Sequence, residues 1–204
     1  MTKEQHIELF QRQQSGGTMP ADLKDKLHPQ VIAKFMAMAW NTLLYQVFRK
    51  EPSNLDFYAK TYYDIAINHD PVHNIYYSIL PSGVIQVPDE PNEGVRRIDY
   101  ALSNEFKFAP IKKNAGYAYR ELEVYKYTDT IPFFVQQNKV IYDLAPYDIQ
   151  AVNMDLIVPF DKMANKDEVN IPSGQDVIFY QMVAALMENK SVEDRYNDNN
   201  PKQV

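Results

Sequence analysis

Apolar residues recur at helical spacing near both ends of the chain, and at a period of two through a long central stretch. In Thr2–Gln14, Ile7, Leu9 and Phe10 stand among polar residues. Thr2 followed by Gln5 has the form of a capping box that opens an amphipathic helix. Ser15-Gly16-Gly17, the one glycine pair, ends it and is the best candidate for a hinge. Pro20 suits the first turn of a short helix to Leu27. Pro29 opens the longest helix, to about Lys50, with Ile32, Phe35, Met36, Ala39, Trp40, Leu43, Leu44, Val47 and Phe48. So wide a stripe predicts burial on most sides, in a bundle or at a subunit contact. Pro52-Ser53-Asn54 then caps a third helical stretch, in which Leu55, Tyr58, Tyr62 and Ile65 are spaced by three and four until Pro71.

Beyond Pro71 the period changes to two. Asn74–Leu80, Val84–Val87, Val95–Leu102, Tyr117–Tyr127, Ile131–Val135, Lys139–Leu144 and Ala151–Val158 read as strands. Gln136-Gln137-Asn138 reads as a hairpin connection. In Tyr117–Tyr127 the odd positions are aromatic or acidic and the other side carries Ala118, Leu122 and Val124, the pattern of a sheet with one solvent or partner face. Asp161–Asn170 is a charged connector. Pro172-Ser173-Gly174 introduces a last helix, Gln175–Glu188, whose apolar stripe is Val177, Ile178, Met182, Ala185 and Leu186. Asn189–Val204 has almost no apolar side chains and reads as a flexible arm.

The expected class is therefore α+β. Helices from both chain ends form one layer, and an antiparallel β-barrel or sandwich is inserted between them. The expected parts are a helical part over 1–70, a β-rich domain over 71–160, a connector and helix packing on the N-terminal helices over 161–188, and the arm over 189–204.

Composition narrows the chemistry. The chain has no cysteine, which removes disulfides, Cys-ligated zinc, iron–sulfur clusters and thiol catalysis. Its net charge is -6, and no segment carries the basic surplus that phosphate-backbone binding needs. The longest apolar run, Phe35–Trp40, is far short of a membrane span of about 20 residues. The polar start at Met1 gives no sign of a signal peptide. The 15 tyrosines are the unusual feature, and most lie between Tyr58 and Tyr147. Tyrosine joins a large contact area to a polar tip and is enriched where proteins meet.

The six glycines are too scattered for a dinucleotide or P-loop motif, and no serine is flanked by two of them. His69 and His73 have the i, i+4 spacing of zinc ligands, but Pro71 between them favours two surface histidines beside a turn. Glu121 and Glu123 share one strand face and could be imagined as glycosidase acids, yet such acids face each other across a cleft. Arg96-Arg97 is the one paired arginine, and adjacency on a strand turns the two to opposite sides. Either a surface pair or an anchor for a partner's carboxylate accounts for it equally well. The tyrosine face admits sugar stacking, a protein interface or plain strand propensity. The adjacent pairs Tyr62-Tyr63 and Tyr76-Tyr77 place rings on both faces, which suits an oligomer better than an isolated lectin. No catalytic residue, cofactor or metal site is expected.

An ordered series of blocks carries more. It runs Tyr58-Ala-Lys-Thr-Tyr62-Tyr-Asp-Ile-Ala-Ile67, Tyr76-Tyr-Ser-Ile-Leu80-Pro81, Val84-Ile-Gln-Val-Pro88 and Gly94-Val-Arg-Arg-Ile98. Phe106–Pro110, the tyrosine strand, Ile171-Pro-Ser-Gly, Glu193-Asp194 and Asn197-Asp198-Asn199 follow in order. This series resembles the head-to-tail connector (adaptor or ring) proteins of short-tailed, crAss-like bacteriophages, over roughly residues 28–200. The resemblance implies a non-enzymatic virion protein, assembled in the host cytoplasm. It would form a ring, typically of twelve copies, beneath the portal and extending the DNA channel toward the tail. Its partners would be further copies, the portal and other tail or ring proteins, with DNA passing through without specific binding and no membrane contact. The simplest adaptors are mainly helical, so the long β insertion departs from them.

A closed ring repeats one heterologous contact, which needs two complementary patches per subunit. The contact residues expected on this reading are Trp40, Tyr62, Tyr76, Arg96, Arg97, Tyr119, Tyr125, Asp194, Arg195 and Asp198. The alternative is a carbohydrate-binding tail or capsid accessory protein that uses Tyr119 and Tyr125. A glycoside hydrolase using Glu121 or Glu123 is the weakest of the three.

Overall fold

A computed structural model describes residues 1–16, 28–50, 52–85, 94–101, 107–112, 130–142, 149–172 and 174–198. The chain divides into two compact units, one from Met1–Lys50 with Pro159–Val204 and one from Glu51–Val158.

The first unit holds α1 (Lys3–Ser15), α2 (Pro29–Lys50) and α3 (Asp176–Asp198). α1 starts at the expected capping box: the Thr2 hydroxyl accepts from the Gln5 backbone N–H, and the Gln5 side chain accepts from the Thr2 N–H. It stops at Gly16, which takes a left-handed conformation at φ 57°. Its inward face is His6, Ile7 and Phe10, with Lys3 buried beside them. α2 buries Ile32, Phe35, Met36, Ala39, Trp40, Leu43 and Leu44, and packs on α3, α1 and a 3₁₀ turn at Phe160–Lys162. The helix expected over 20–27 lies outside the described residues. α3 passes the expected end at Glu188 and continues to Asp198, since neither proline nor glycine interrupts it before Pro201.

The second unit is a mixed eight-stranded sheet in the order β1-β8-β4-β5-β6-β7-β3-β2. The strands are β1 (Lys60–Ala66), β2 (Asn68–Asp70), β3 (Ile75–Ile79), β4 (Val95–Tyr100), β5 (Lys107–Pro110), β6 (Thr130–Gln136), β7 (Lys139–Tyr142) and β8 (Ala151–Leu156). β1 and β2, at the two ends of that order, are consecutive pieces of chain that change partner at Ile67. Ile67 N–H still donates to Gln150 of the β8 side at 2.9 Å, while Asn68 already pairs with Tyr77 of β3. Ser78 Oγ on β3 donates back to Ala66 O on β1 at 3.0 Å. The sheet is thereby nearly closed into a barrel, the arrangement that leaves fewest bare strand edges. Val95, Ile98, Val140, Val152, Met154 and Leu156 fill its core.

Three sequence expectations change here. Residues 60–70 are strands, not helix. The spacing of Leu55 and Tyr58 holds only for a 3₁₀ helix at Pro52–Tyr58, after which Tyr62, Tyr63 and Ile65 follow their β propensity and pair with β8. The boundary expected at 70/71 accordingly lies at 50/51, and the one expected at 160/161 lies at 158/159. The sheet is also not wholly antiparallel, because β5 runs parallel to β6. Residues 111–129 separate those strands, enough chain for the dozen-residue crossover that parallel pairing requires. β5 itself was not among the expected strands.

The expected hairpin is present. β6 and β7 pair from Gln136↔Lys139, with Gln137 at φ 57° in the turn. Tyr117–Tyr127 lies outside the described residues. So does most of Val84–Val87, of which Val84 and Ile85 are described outside any strand. Gly94 sits at φ 86°, and a Cβ there would lie 2.2 Å from the Ile85 carbonyl oxygen. Its own carbonyl accepts from Ile157 N–H, and Ile157 O accepts from Ile85 N–H, each at 2.9 Å. Only glycine permits so close an approach.

Candidate functional site

In the first unit the polar centre is His6. Its Nε2 lies 3.3 Å from the Val169 carbonyl, which can only accept, so Nε2 carries the hydrogen. Nδ1 then accepts from the Tyr180 hydroxyl at 2.6 Å. The rings of Phe160, Phe179 and Tyr180 stand 6.1–6.5 Å from the imidazole. Burial lowers the His6 pKa below its ordinary value, and burial followed by the charge of Asp176 pushes the Tyr180 phenol up to about 12. Beside it, Lys3 Nζ donates to the carbonyls of Met163 at 2.7 Å and Asp161 at 3.1 Å, and burial lowers its pKa. Backbone bonds from Lys3 N–H to Asp167 O and from Val169 N–H to Met1 O complete the clamp. Both histidine nitrogens are occupied within the chain, so the cluster anchors α1 to the 160–180 segment.

Trp40 is a core residue of α2 rather than a contact residue. A wide apolar stripe permits either role, and here packing within the chain takes it. On α3 the correction is larger. The residues that bury are Phe179 and Val183, while Val177 is 67% exposed, Ile178 is 47% exposed, and Gln181 and Ala185 are exposed with them. Met182 and Leu186 are half-buried. Three residues of the stripe expected to face the core, Val177, Ile178 and Ala185, thus stand open. α2 also presents an open face, with Met38 52% and Tyr45 43% exposed between exposed Lys34 and Arg49. Arg49 lies over the Tyr45 ring at 6.0 Å.

On the barrel, Arg96 and Arg97 part as expected, helped by a bulge between Val95 and Arg97. Arg96 is largely buried and its Nε donates to Asp56 Oδ1 at 2.8 Å. Arg97 is exposed, pairs with Asp99, and lies 3.8 Å from Asp155. Asp155 also accepts from Thr61 Oγ1 at 2.6 Å, and Asn153 Oδ1 accepts from the N–H of Asp64, whose φ is 54° in the β1 bulge. Both arginines therefore have carboxylate partners inside the chain.

The tyrosine pairs do split between faces. Tyr76 lies opposite the buried Tyr142 and stacks on His69 with ring centroids 4.5 Å apart. Tyr77 lies opposite Ile141, in register with Phe134, on the outer face, with Lys139 Nζ 4.2 Å from its ring. Tyr62 is half-buried under Lys60 Nζ at 5.2 Å, while Tyr63 is exposed. Inside the barrel the Tyr142 hydroxyl donates to Ser78 Oγ at 3.0 Å, and burial raises its pKa.

Tyr119, Tyr125, Glu121 and Glu123 lie outside the described residues. Asp194, Arg195 and Asp198 fall near the C-terminal end of α3. His69 and His73 flank a turn: His69 Nε2 is 3.1 Å from Asn74 Oδ1, and His73 Nδ1 is 2.8 Å from Asp70 Oδ2. The His73 hydrogen bond holds the Asp70 carboxyl below its usual range. Among the described residues, no group of three or more His, Asp or Glu could hold a metal ion, and no helix is long and apolar enough to cross a membrane.

No protein-family model matches the chain, and no curated protein matches it. The residues that sequence reasoning missed as surface are Met38, Tyr45, Val177 and Ile178. A signal for α3 was available: Val177–Tyr180 and Met182–Met187 are apolar on every side, so no single stripe marks the buried face.

Proposed function

We propose that the protein is a non-enzymatic structural component of a virion, one subunit of an oligomeric ring at the portal–tail junction that extends the DNA channel. What supports this reading is the ordered series of blocks from Tyr58 to Asn199, which resembles that of connector proteins. Exposed apolar side chains add support: Val177 and Ile178 on α3, and Ile79 beside the half-buried Tyr77–Ile141–Phe134 row on the barrel. Contiguous apolar surface of this kind marks interaction sites. On this reading the helices from both chain ends form the layer that meets the portal and neighbouring subunits. The β unit projects toward other tail proteins, and the last turns of α3 beyond Glu188, with the tail after them, form an arm that meets a partner.

The carbohydrate-binding alternative needs open ring faces. At Tyr62, Tyr76 and Tyr77 one face is already taken by Lys60, His69 and Lys139. Co-sedimentation of the full chain with a cognate portal protein tests the ring reading, with a glycan array in parallel. Portal binding without glycan binding is expected. Glycan binding that disappears in Tyr119→Ala or Tyr125→Ala, with no portal binding, would overturn it.

A further inference from the structure

We infer that the open face of α2 is a docking site for an acidic helix of another protein. The site is built by α2 alone and does not depend on the ring reading.

The face is one continuous stripe. Lys34, Met38, Thr42, Tyr45 and Arg49 follow one another at steps of four, four, three and four residues, and all five are exposed. That spacing keeps them on one side of a helix. The other side, carrying Ile32, Phe35, Met36, Ala39, Trp40 and Leu43, is spent in the core of the unit. At 1.5 Å per residue the cations of Lys34 and Arg49 stand about 22 Å apart, with Met38 and Tyr45 about two turns apart between them.

The charge of the stripe departs from that of the chain. The sequence holds 27 acidic and 21 basic residues, yet Pro29–Lys50 contains Lys34, Arg49 and Lys50 and no acidic residue. Among the described residues none of these three forms an ion pair, whereas Arg96 and Arg97 have carboxylates within the chain. Arg49 lies over the Tyr45 ring at 6.0 Å, which holds cation and ring together as one anchor. The occupant that complements this layout carries a carboxylate at each end and apolar side chains between them.

The middle of the stripe separates a protein helix from other anionic partners. A phosphate backbone only accepts hydrogen bonds and is held by a row of donors. Met38 has no donor, and the Thr42 hydroxyl already donates to the Met38 carbonyl at 3.0 Å, so the Tyr45 hydroxyl alone remains between the two cations. An anionic membrane takes up the apolar side of a helix, and that side of α2 is buried. An acidic helix uses the whole stripe. Met38 adapts to the side chains that face it, Tyr45 adds contact area, and the carboxylates accept from Lys34 and Arg49.

The probe is a capped helical peptide of alanine and glutamine, with two glutamates fifteen residues apart bracketing two leucines seven residues apart. Titrated into the isotope-labelled full chain, it should shift the backbone amide signals between Lys34 and Arg49. Binding should weaken at least about tenfold in K34E/R49E, which alters exposed positions only and should retain the native Trp40 fluorescence. The same peptide with lysines for glutamates should leave the wild type unshifted and bind K34E/R49E. The comparison of the two peptides on the wild type tests the site even where the variant fails to fold. No binding of the acidic peptide, or equal binding of both, would overturn the site. So would a short DNA duplex or phosphatidylglycerol vesicles that bind more tightly than the peptide and lose binding in K34E/R49E. A chain that binds the acidic peptide but no portal would support the site and count against the ring reading. One that binds portal but no acidic peptide would overturn the site and leave the ring reading standing.

Discussion

The Tyr180 hydroxyl on α3 reaches His6 Nδ1 on α1 at 2.6 Å, which joins an N-terminal helix to residues more than 150 positions away. The bond needs a neutral imidazole whose Nδ1 accepts. The groups facing it are the Val169 carbonyl, the Tyr180 hydroxyl, the charges of the N-terminus and Asp176, and three aromatic rings. Since burial lowers the folded-state pKa of His6, the unfolded chain takes the proton first as pH falls. The stabilisation is complete above the ordinary histidine value of 6.5 and is lost as pH falls from there through the lowered folded value. Urea unfolding at pH 7.5 and pH 5.5, followed by the single tryptophan, Trp40, should show this loss in the wild type and a flatter dependence in His6→Gln. Equal slopes in the two proteins would contradict it.

The Tyr142–Ser78–Ala66 chain bonds β7 to β3 and β3 to β1 inside the barrel. Tyr142→Phe removes one buried bond and should cost about 0.5–1.5 kcal/mol. Ser78→Ala strands a buried phenol hydroxyl and should cost more, about 1–3 kcal/mol. The double variant S78A/Y142F removes the stranded hydroxyl and should be more stable than Ser78→Ala alone. Denaturant unfolding read by far-UV circular dichroism measures all three, and simple additivity would contradict the relay.

Gly94→Ala should destabilise the barrel by about 2–4 kcal/mol, because the new Cβ meets the Ile85 carbonyl and the left-handed backbone disfavours it. Gly16→Ala, also at positive φ but with open space around the added carbon, should cost less, about 1 kcal/mol. Thermal unfolding of the two variants checks the order.

Truncation after Glu188 removes part of α3 and the tail beyond it while leaving the buried residues Phe179 and Val183 in place. The truncated chain should keep the wild-type Trp40 emission and bind portal more weakly. Equal portal binding by both chains would remove the role assigned to the arm.

How far these features can be read in the residues differs by element. α1 was legible through Thr2, Gln5 and Gly16, since capping is local chemistry that needs no tertiary partner. α2 was legible because Pro29 marks its start and its stripe is long. β1 was not: Leu55, Tyr58, Tyr62 and Ile65 keep a helical spacing by coincidence, and pairing with β8 overrides it. β5 is only four residues long and gains its order from a parallel neighbour distant in sequence. The surface of α3 failed for a different reason. Phe179 and Val183 are no more apolar than Val177 and Ile178, so only the fold decides which pair is covered. The open pair is also where the candidate site lies, and so the site was the least legible part.

Electron microscopy of the full chain mixed with portal tests the central claim most directly. The reading predicts closed rings of this protein stacked on the portal. A chain that stays monomeric and leaves the portal bare under assembly conditions would contradict it.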